Sequence, residues 1–492
     1  MTSGLKIWGR SVMRLGAVGL ATLALGGCWA DKPFLVALPQ IPQDYRASAT
    51  GPAHPPGFWA AQFGSKELAR LVELAQEQNL DIAAASARIV QAQGQAEIAG
   101  AGLYPQVQAN ENASRTLSPG TLRAKEGPFR SSISNRFDLG LTASYTLDLF
   151  GRNQALALSG QENALASVYD RDVVAVATLA TVANSYFLML AAQDRLRLAR
   201  EDIRIAENVL EAIRQRLEVG TATALDLAQQ ESVVANQRAS VPALEQIVQQ
   251  TRNVLAVLVG RTPESTNVRG GSLDTLRVPA VSAGLPSQLL FQRPDIASAE
   301  TKLASQSANV AAARAAFLPT ITLTGTAGVA SQTLKNLLRP DALAASLAEG
   351  LVAPIFTGGN LEGQLLAAEG RQIEALEIYR KSIVQGLADV ENALIGVQQS
   401  AIHEKLQLAA VAAARRAYQI TEVRLREGTV DVVTLLNIQL TLFQAQDQLT
   451  QVRLQRFQAA VSLYQALGGG WTKERAALIF AGPAAGAGVA AP

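Results

Sequence analysis

Between residues 137 and 150 the chain reads FDLGLTASYTLDLF. Every odd position from Phe137 to Leu149 is apolar, while the even positions from Asp138 to Asp148 are Asp, Gly, Thr, Ser, Thr and Asp. The stretch TITLTGTAGVA from Thr320 alternates in the same way, with Ile321, Leu323, Ala327 and Val329 set against Thr320, Thr322, Thr324 and Thr326. Period two over ten or more residues predicts a strand with one apolar and one polar face. Two further strands complete the set, giving expected strands over 104–118, 137–150, 319–330 and 345–356. The added pair alternates less regularly, because Glu111 and Glu349 interrupt its apolar faces. The remaining pattern is helical. Helices are expected over about 66–102 and 294–317, each stopped by a proline, Pro105 or Pro319. Two much longer helices run from Gly151 to about Val219 and from Gly359 to about Glu427, each long enough to reach roughly 100 Å. Leu196, Ile203, Leu210 and Leu217 recur every seven residues, and the returning stretch places Leu435, Ile438, Leu442, Ala445, Leu449 and Val452 at alternating spacings of three and four. Both are coiled-coil seams. Arg456 breaks one seam position, and Pro242 predicts a kink in the first return helix that its counterpart Thr450 does not.

The pattern is written twice. DIAAASARIVQAQGQAEIAGAGLYPQV from Asp81 aligns without a gap on DIASAETKLASQSANVAAARAAFLPTI from Asp295, and further on RLEVGT at 216–221 matches RLREGT at 424–429. The chain thus divides into a first repeat over 66–260 and a second over 291–470. A segment 28–65 precedes them, a connection 261–290 joins them, and an expected disordered tail covers 471–492. In each hexamer the glycine, Gly220 or Gly428, terminates a helix in the left-handed conformation. Thr221 or Thr223, and Thr429, are candidate N-caps of the helix that follows. The hexamers are therefore tips of helical hairpins, at 219–222 and 427–430. Turn chemistry accounts for Gly and Thr but not for Arg216-Leu217 recurring as Arg424-Leu425. A docking surface at the tips would.

Composition narrows the function. Lys and Arg number 43 against 41 Asp and Glu, which points to no bulk partner of either sign and to no nucleic-acid role. With two histidines, His54 and His403, and the single cysteine Cys28, neither a His/Cys metal site nor a disulfide framework is expected. No phosphate-binding GxxxxGK[ST] loop and no GxSxG elbow occurs, so the chain does not read as an enzyme. Residues 1–27 carry Lys6, Arg10 and Arg14, then an apolar run from Leu15 to Leu25, and end on Leu-Gly-Gly before Cys28. This is a secretory signal, and it resembles a bacterial lipoprotein signal. That resemblance implies a diacylglycerol and an N-acyl lipid on Cys28, no other cofactor, and, with Trp29 rather than aspartate next, the outer membrane.

After residue 28 no run of 18 apolar residues appears, so no transmembrane helix is expected. Strands with lipid on one face and water on the other must close into a barrel, since open edges are not tolerated in lipid. Four strands cannot close, so several copies have to contribute.

FWAAQFGSKELARLVELAQEQNLDI, GLPSQLLFQRPDIASAE, DLFGR, PIFTGGN and the two tip hexamers occur in the order seen in TolC-like outer membrane factors. The chain most closely resembles their NodT-type lipoprotein branch, which serves resistance-nodulation-division efflux pumps. The resemblance spans about residues 28–470. It implies a mainly α chain with a membrane β-barrel: a homotrimer whose twelve strands form the barrel and whose long helices continue it as a periplasmic tunnel. A periplasmic adaptor would grip tip residues Arg216, Leu217, Gly220, Thr221, Arg424, Leu425, Gly428 and Thr429, and an inner-membrane pump would supply energy to a passive conduit for small molecules. Acidic residues past the tip glycines line the closed tunnel in such proteins. Asp226 matches one such position, and Thr434 and Asn437 fall on others. Asp226 is equally read as part of a capping box in TALD. The family's closing tyrosine and arginine fall on Leu425 and Val430, which leaves the closing network open. Two other readings stand beside efflux: the outer component of a type I protein-secretion system, and a periplasmic coiled-coil scaffold without lipid-facing strands.

Overall fold

The computed structural model describes residues 39–47, 59–118, 132–280 and 283–473. Ile41–Pro492 form one compact unit, and only residues 39 and 40 of the other, Met1–Gln40, are described. The signal 1–27, Cys28 and residues 474–492 lie outside the described residues.

The elements follow one another as α1 (Lys66–Gln78), α2 (Leu80–Gly100), β1 (Gln106–Ser118), β2 (Ser132–Leu147), α3 (Arg152–Glu218) and α4 (Ala224–Leu258), then α5 (Pro294–Ala315), β3 (Thr320–Ser331), β4 (Leu343–Val352), α6 (Asn360–Arg426) and α7 (Val432–Ala466). The helix expected over 66–102 is two helices. Asn79 breaks it, because its side chain accepts the amides of Asp81 and Ile82 at 2.9 and 3.0 Å and so caps α2. Strand β2 starts earlier than expected, where Ile133 pairs with Leu117. It ends earlier too, since the Asp148 carboxylate takes the amide of Gln154 at 2.8 Å and turns the chain into α3. Strand β4 stops at Val352, before Pro354, which has no amide to donate.

All four strands are antiparallel, in the order β1-β2-β3-β4. The register settles the faces. Thr142 stands opposite Thr326, Ser144 opposite Thr324 and Thr146 opposite Thr322, so one face is a ladder of small hydroxyl side chains. Thr326 and Ser346 approach to 2.6 Å across β3 and β4, and Asn110 donates to the Thr142 hydroxyl at 2.9 Å. On the other face lie Phe137, Leu139, Leu141 and Tyr145, with Glu111 opposite Leu139 and Glu349 opposite Leu323. Helix packing repeats the strand order: α2 packs on α3, α3 on α5, and α5 on α6. Among the described residues both the sheet and the helix layer have two open edges, β1 with α2 and β4 with α6. The edges carry exposed Val90, Ile98, Leu347, Leu351, Leu366 and Ile373.

The two 67-residue helices, each about 100 Å long, form hairpins with their return helices, α3 with α4 and α6 with α7, and α3 packs along α7. Helix α4 runs continuously through Pro242. Midway along α3, beside the last turns of α7, lies an aromatic core. Phe187 has Phe63 and Phe457 at centroid distances of 5.0 and 4.9 Å, and Trp59 stacks on Tyr464 at 5.3 Å. By length and composition α3 contains a stretch able to cross a bilayer, against the expectation of none. Half of that stretch is buried inside the protein, and Val182, Ala183, Phe187, Met189 and Leu190 of α3 belong to this core. Burial against other helices, rather than lipid, accounts for its apolar character. The connection 261–290 is bound to the same region: Glu67 accepts the amides of Arg269 and Gly270 at 2.8 and 3.0 Å, and Asp194 that of Leu273 at 2.9 Å.

The duplication shows in three dimensions. Asn79 and its counterpart Arg293, in the RPDI string, both donate to the carbonyl near the end of their return helix. Asn79 reaches Leu258 O at 2.8 Å and Arg293 reaches Ala466 O at 3.1 Å. Arg293 also pairs with Asp295 at 2.6 Å and Asp389 at 3.1 Å. Of the tail expected over 471–492, residues 471–473 are described. Trp471 is buried edge-on against Tyr169, and its indole N–H donates to Asp172 at 2.8 Å.

Candidate functional site: the helical tips

The two tips are built alike. Helix α3 ends with the amide of Gly220 on Leu217 O at 3.0 Å and that of Thr221 on Arg216 O at 2.8 Å. Helix α6 ends with Gly428 on Leu425 O at 3.1 Å and Thr429 on Arg424 O at 2.9 Å. Each is a Schellman closure with glycine in the left-handed region, φ 77° at Gly220 and 72° at Gly428. The threonine hydroxyls add a second bond to the same arginine carbonyls, both at 3.1 Å. Thr221 and Thr429 therefore close the outgoing helices and do not cap the returning ones. Thr223 caps α4. The cap of α7 is Asp431, which the sequence reading passed over although it stands directly before the apolar pair Val432-Val433. Its carboxylate takes the amide of Thr434 at 2.7 Å, and hydrogen bonding from the Thr434 side chain, with that amide second, holds the carboxyl below the ordinary aspartate range.

Asp226 completes a capping box. Its Oδ2 accepts from the Thr223 amide at 2.9 Å and from the Thr223 hydroxyl at 2.8 Å, while its own amide donates to Thr223 Oγ1 at 3.2 Å. Thr434 and Asn437 are exposed on α7.

The tip residues do not all lie at the surface. Arg424, Gly220, Thr221, Gly428 and Thr429 are exposed, and Leu217 is half-buried. Leu425 is buried with Val209, Ile213, Val432, Leu435 and Leu436, so its side chain joins the two hairpins and is not presented outward. Arg216 crosses the same junction: its Nη2 donates to the main-chain carbonyl of Leu425. Further from the tips, Arg195 of α3 pairs with Asp447 of α7 at 2.5 Å. Asp202 of α3 is buried, and desolvation pushes its carboxyl up to about 7, with Glu201 and Asp447 adding to the rise.

Known proteins share this architecture. The model of the outer membrane efflux protein family matches residues 71–261 and 285–469. The chain is 38% identical over 462 residues to the pyoverdine export outer membrane protein OpmQ of Pseudomonas aeruginosa, covering 93% of this chain and 97% of the relative. It is 30% identical to the cation efflux system protein CusC of Escherichia coli, covering 91% of this chain and 97% of that one. A crystal structure of a membrane protein from Pseudomonas aeruginosa superposes with a TM-score of 0.81 at 30% identity, covering 88% of this chain and 99% of the other. Four antiparallel strands with one apolar face, continued in the same order by long helical hairpins and written twice along the chain, have their place in that family: this chain belongs to the outer membrane efflux proteins and is an outer-membrane efflux channel.

Proposed function

We propose that three copies of this chain close one barrel and one tunnel, and that the tunnel is the passive exit duct of a tripartite pump. One observation carries the reading. Among the described residues, strands β1 and β4 are edge strands whose outer amides and carbonyls have no strand partner, on a sheet with an apolar face. In a bilayer such edges must be paired, and a neighbouring copy offers β4 to β1 and α6 to α2. In this reading the tips, far from the strands, meet a periplasmic adaptor through Arg216, Leu217 and Arg424 and the turn residues between them. A resistance-nodulation-division pump delivers cargo, and a lipid on Cys28 adds a second membrane anchor. Asp226 lies at the closed end and serves as both helix cap and part of the constriction. Because relatives are named for pyoverdine export, pyoverdine is the first cargo to test.

The test is the native mass of the purified, lipidated protein, followed by its conductance in planar bilayers. A trimer with small conductance that rises and loses cation preference in Asp226→Ala supports the duct and the constriction. A monomer in lipid would refute the closure, and an unchanged trimeric channel would return Asp226 to capping alone.

A further inference from the structure

The bond from Arg216 to Leu425 joins the first hairpin of a protomer to the second. Its repeat counterpart is unused. Arg424, 208 residues on, is exposed, and among the described residues no partner for its guanidinium is recorded. Its equivalent acceptor is Leu217 O. The two carbonyls are alike in local geometry, each already taking one bond from the tip glycine amide, at 3.0 Å for Leu217 and 3.1 Å for Leu425. Each keeps a lone pair for a second donor.

The packing repeats as well. Within the chain α3 lies against α7. The duplicated relation would set α6 against α4 of another copy, and α6 exposes Ile402, Leu406, Ile420 and Val423 along its length. A closed ring of hairpins alternates first and second halves, so every second junction lies between copies.

We infer that Arg424 donates to the Leu217 carbonyl of a neighbouring copy, making a ring of six arginine-to-carbonyl bonds at the tips. Three lie within protomers, from Arg216, and three between them. The partner is a second copy of this chain, and the inference rests on the trimeric duct proposed above. The ring closes the tunnel end through main-chain acceptors. It needs no tyrosine or arginine at Leu425 and Val430.

The experiment uses the full-length trimer in two forms. Arg424→Cys combined with Leu217→Cys is treated with a short bis-maleimide, and covalent dimers and trimers on denaturing gels are expected. Monomers alone, from protein shown to be trimeric by native mass, would overturn the inference. In bilayers Arg424→Ala, a surface substitution that leaves the core intact, is expected to raise conductance as much as Arg216→Ala does, and the double variant further. A conductance rise in Arg216→Ala with none in Arg424→Ala would also overturn it. Cross-linking between copies with unchanged conductance in both would uphold the bond and refute the closed-end reading of the duct. A monomeric protein would refute both.

Discussion

Four glycines share one backbone conformation and differ in what surrounds them, which allows a controlled test of the packing. Gly260 and Gly468 end the return helices with φ of 71° and 86°, and Gly220 and Gly428 end the outgoing ones with φ of 77° and 72°. A Cβ on Gly468 would stand 1.8 Å from Gln292 O, and one on Gly260 would stand 2.0 Å from Gln78 O. At Gly220 and Gly428 nothing lies within 4 Å. Alanine at any of the four carries the left-handed cost of about 1–2 kcal/mol. At the return-helix ends it must also displace a main-chain oxygen of the helix packed there, an overpacking cost of a further ~1–3 kcal/mol or more. Gly468→Ala and Gly260→Ala are therefore expected to lose about 2–5 kcal/mol, and the tip variants only the first part, locally. Urea denaturation followed by circular dichroism separates these outcomes, with global midpoints falling for the return-helix pair and nearly unchanged for the tip pair. Equal losses at Gly468 and Gly428 would refute the close approach.

Two further predictions follow from burial and faces. Burial raises the Asp202 carboxyl to about 7 from the ordinary aspartate value of 3.8. The folded state thus holds a proton that the unfolded state releases, and stability falls as pH rises between those values. The penalty is fully present above pH 7 and absent below pH 3.8. Asp202→Asn should therefore stabilise the protein at pH 8 and change little near pH 4, with thermal midpoints across that range as the check; a constant gain at all pH would refute it. On β4, Leu347 lies on the apolar face opposite Gly325 and Ala348 on the polar face opposite Thr324. Leu347→Arg should cost about 2–4 kcal/mol of membrane stability and abolish heat-modifiable gel migration, whereas Ala348→Arg should preserve it. The reverse order would invert the assignment of the faces.

Much of this fold is legible in local chemistry. Alternation of apolar and hydroxyl residues in a strand, heptads in a helix, and Gly-Thr at a helix end are each governed by neighbours a few residues away, so the pattern around Phe137 and the hexamers at 216 and 424 can be read from the chain alone. The duplication is likewise visible as text, as is the need for more than one copy, since four strands and an unsatisfied edge conflict with lipid. Other features depended on side chains brought together from far along the chain. Asn79 looks like one more polar residue in a helical run until it is seen capping α2 and reaching Leu258. Trp471 reads as the first residue of a disordered tail until Tyr169 and Asp172 receive it. The apolar stretch of α3 is indistinguishable by composition from a membrane span, and only its burial among helices from both repeats decides the matter. Leu425 reads as surface because tips are exposed, yet it is covered by α3 and α7. Periodicity states which face of an element is apolar. What covers that face, and which arginine of a repeated pair finds a partner within its own chain, depends on contacts between residues hundreds of positions apart, and only the tertiary structure decides those.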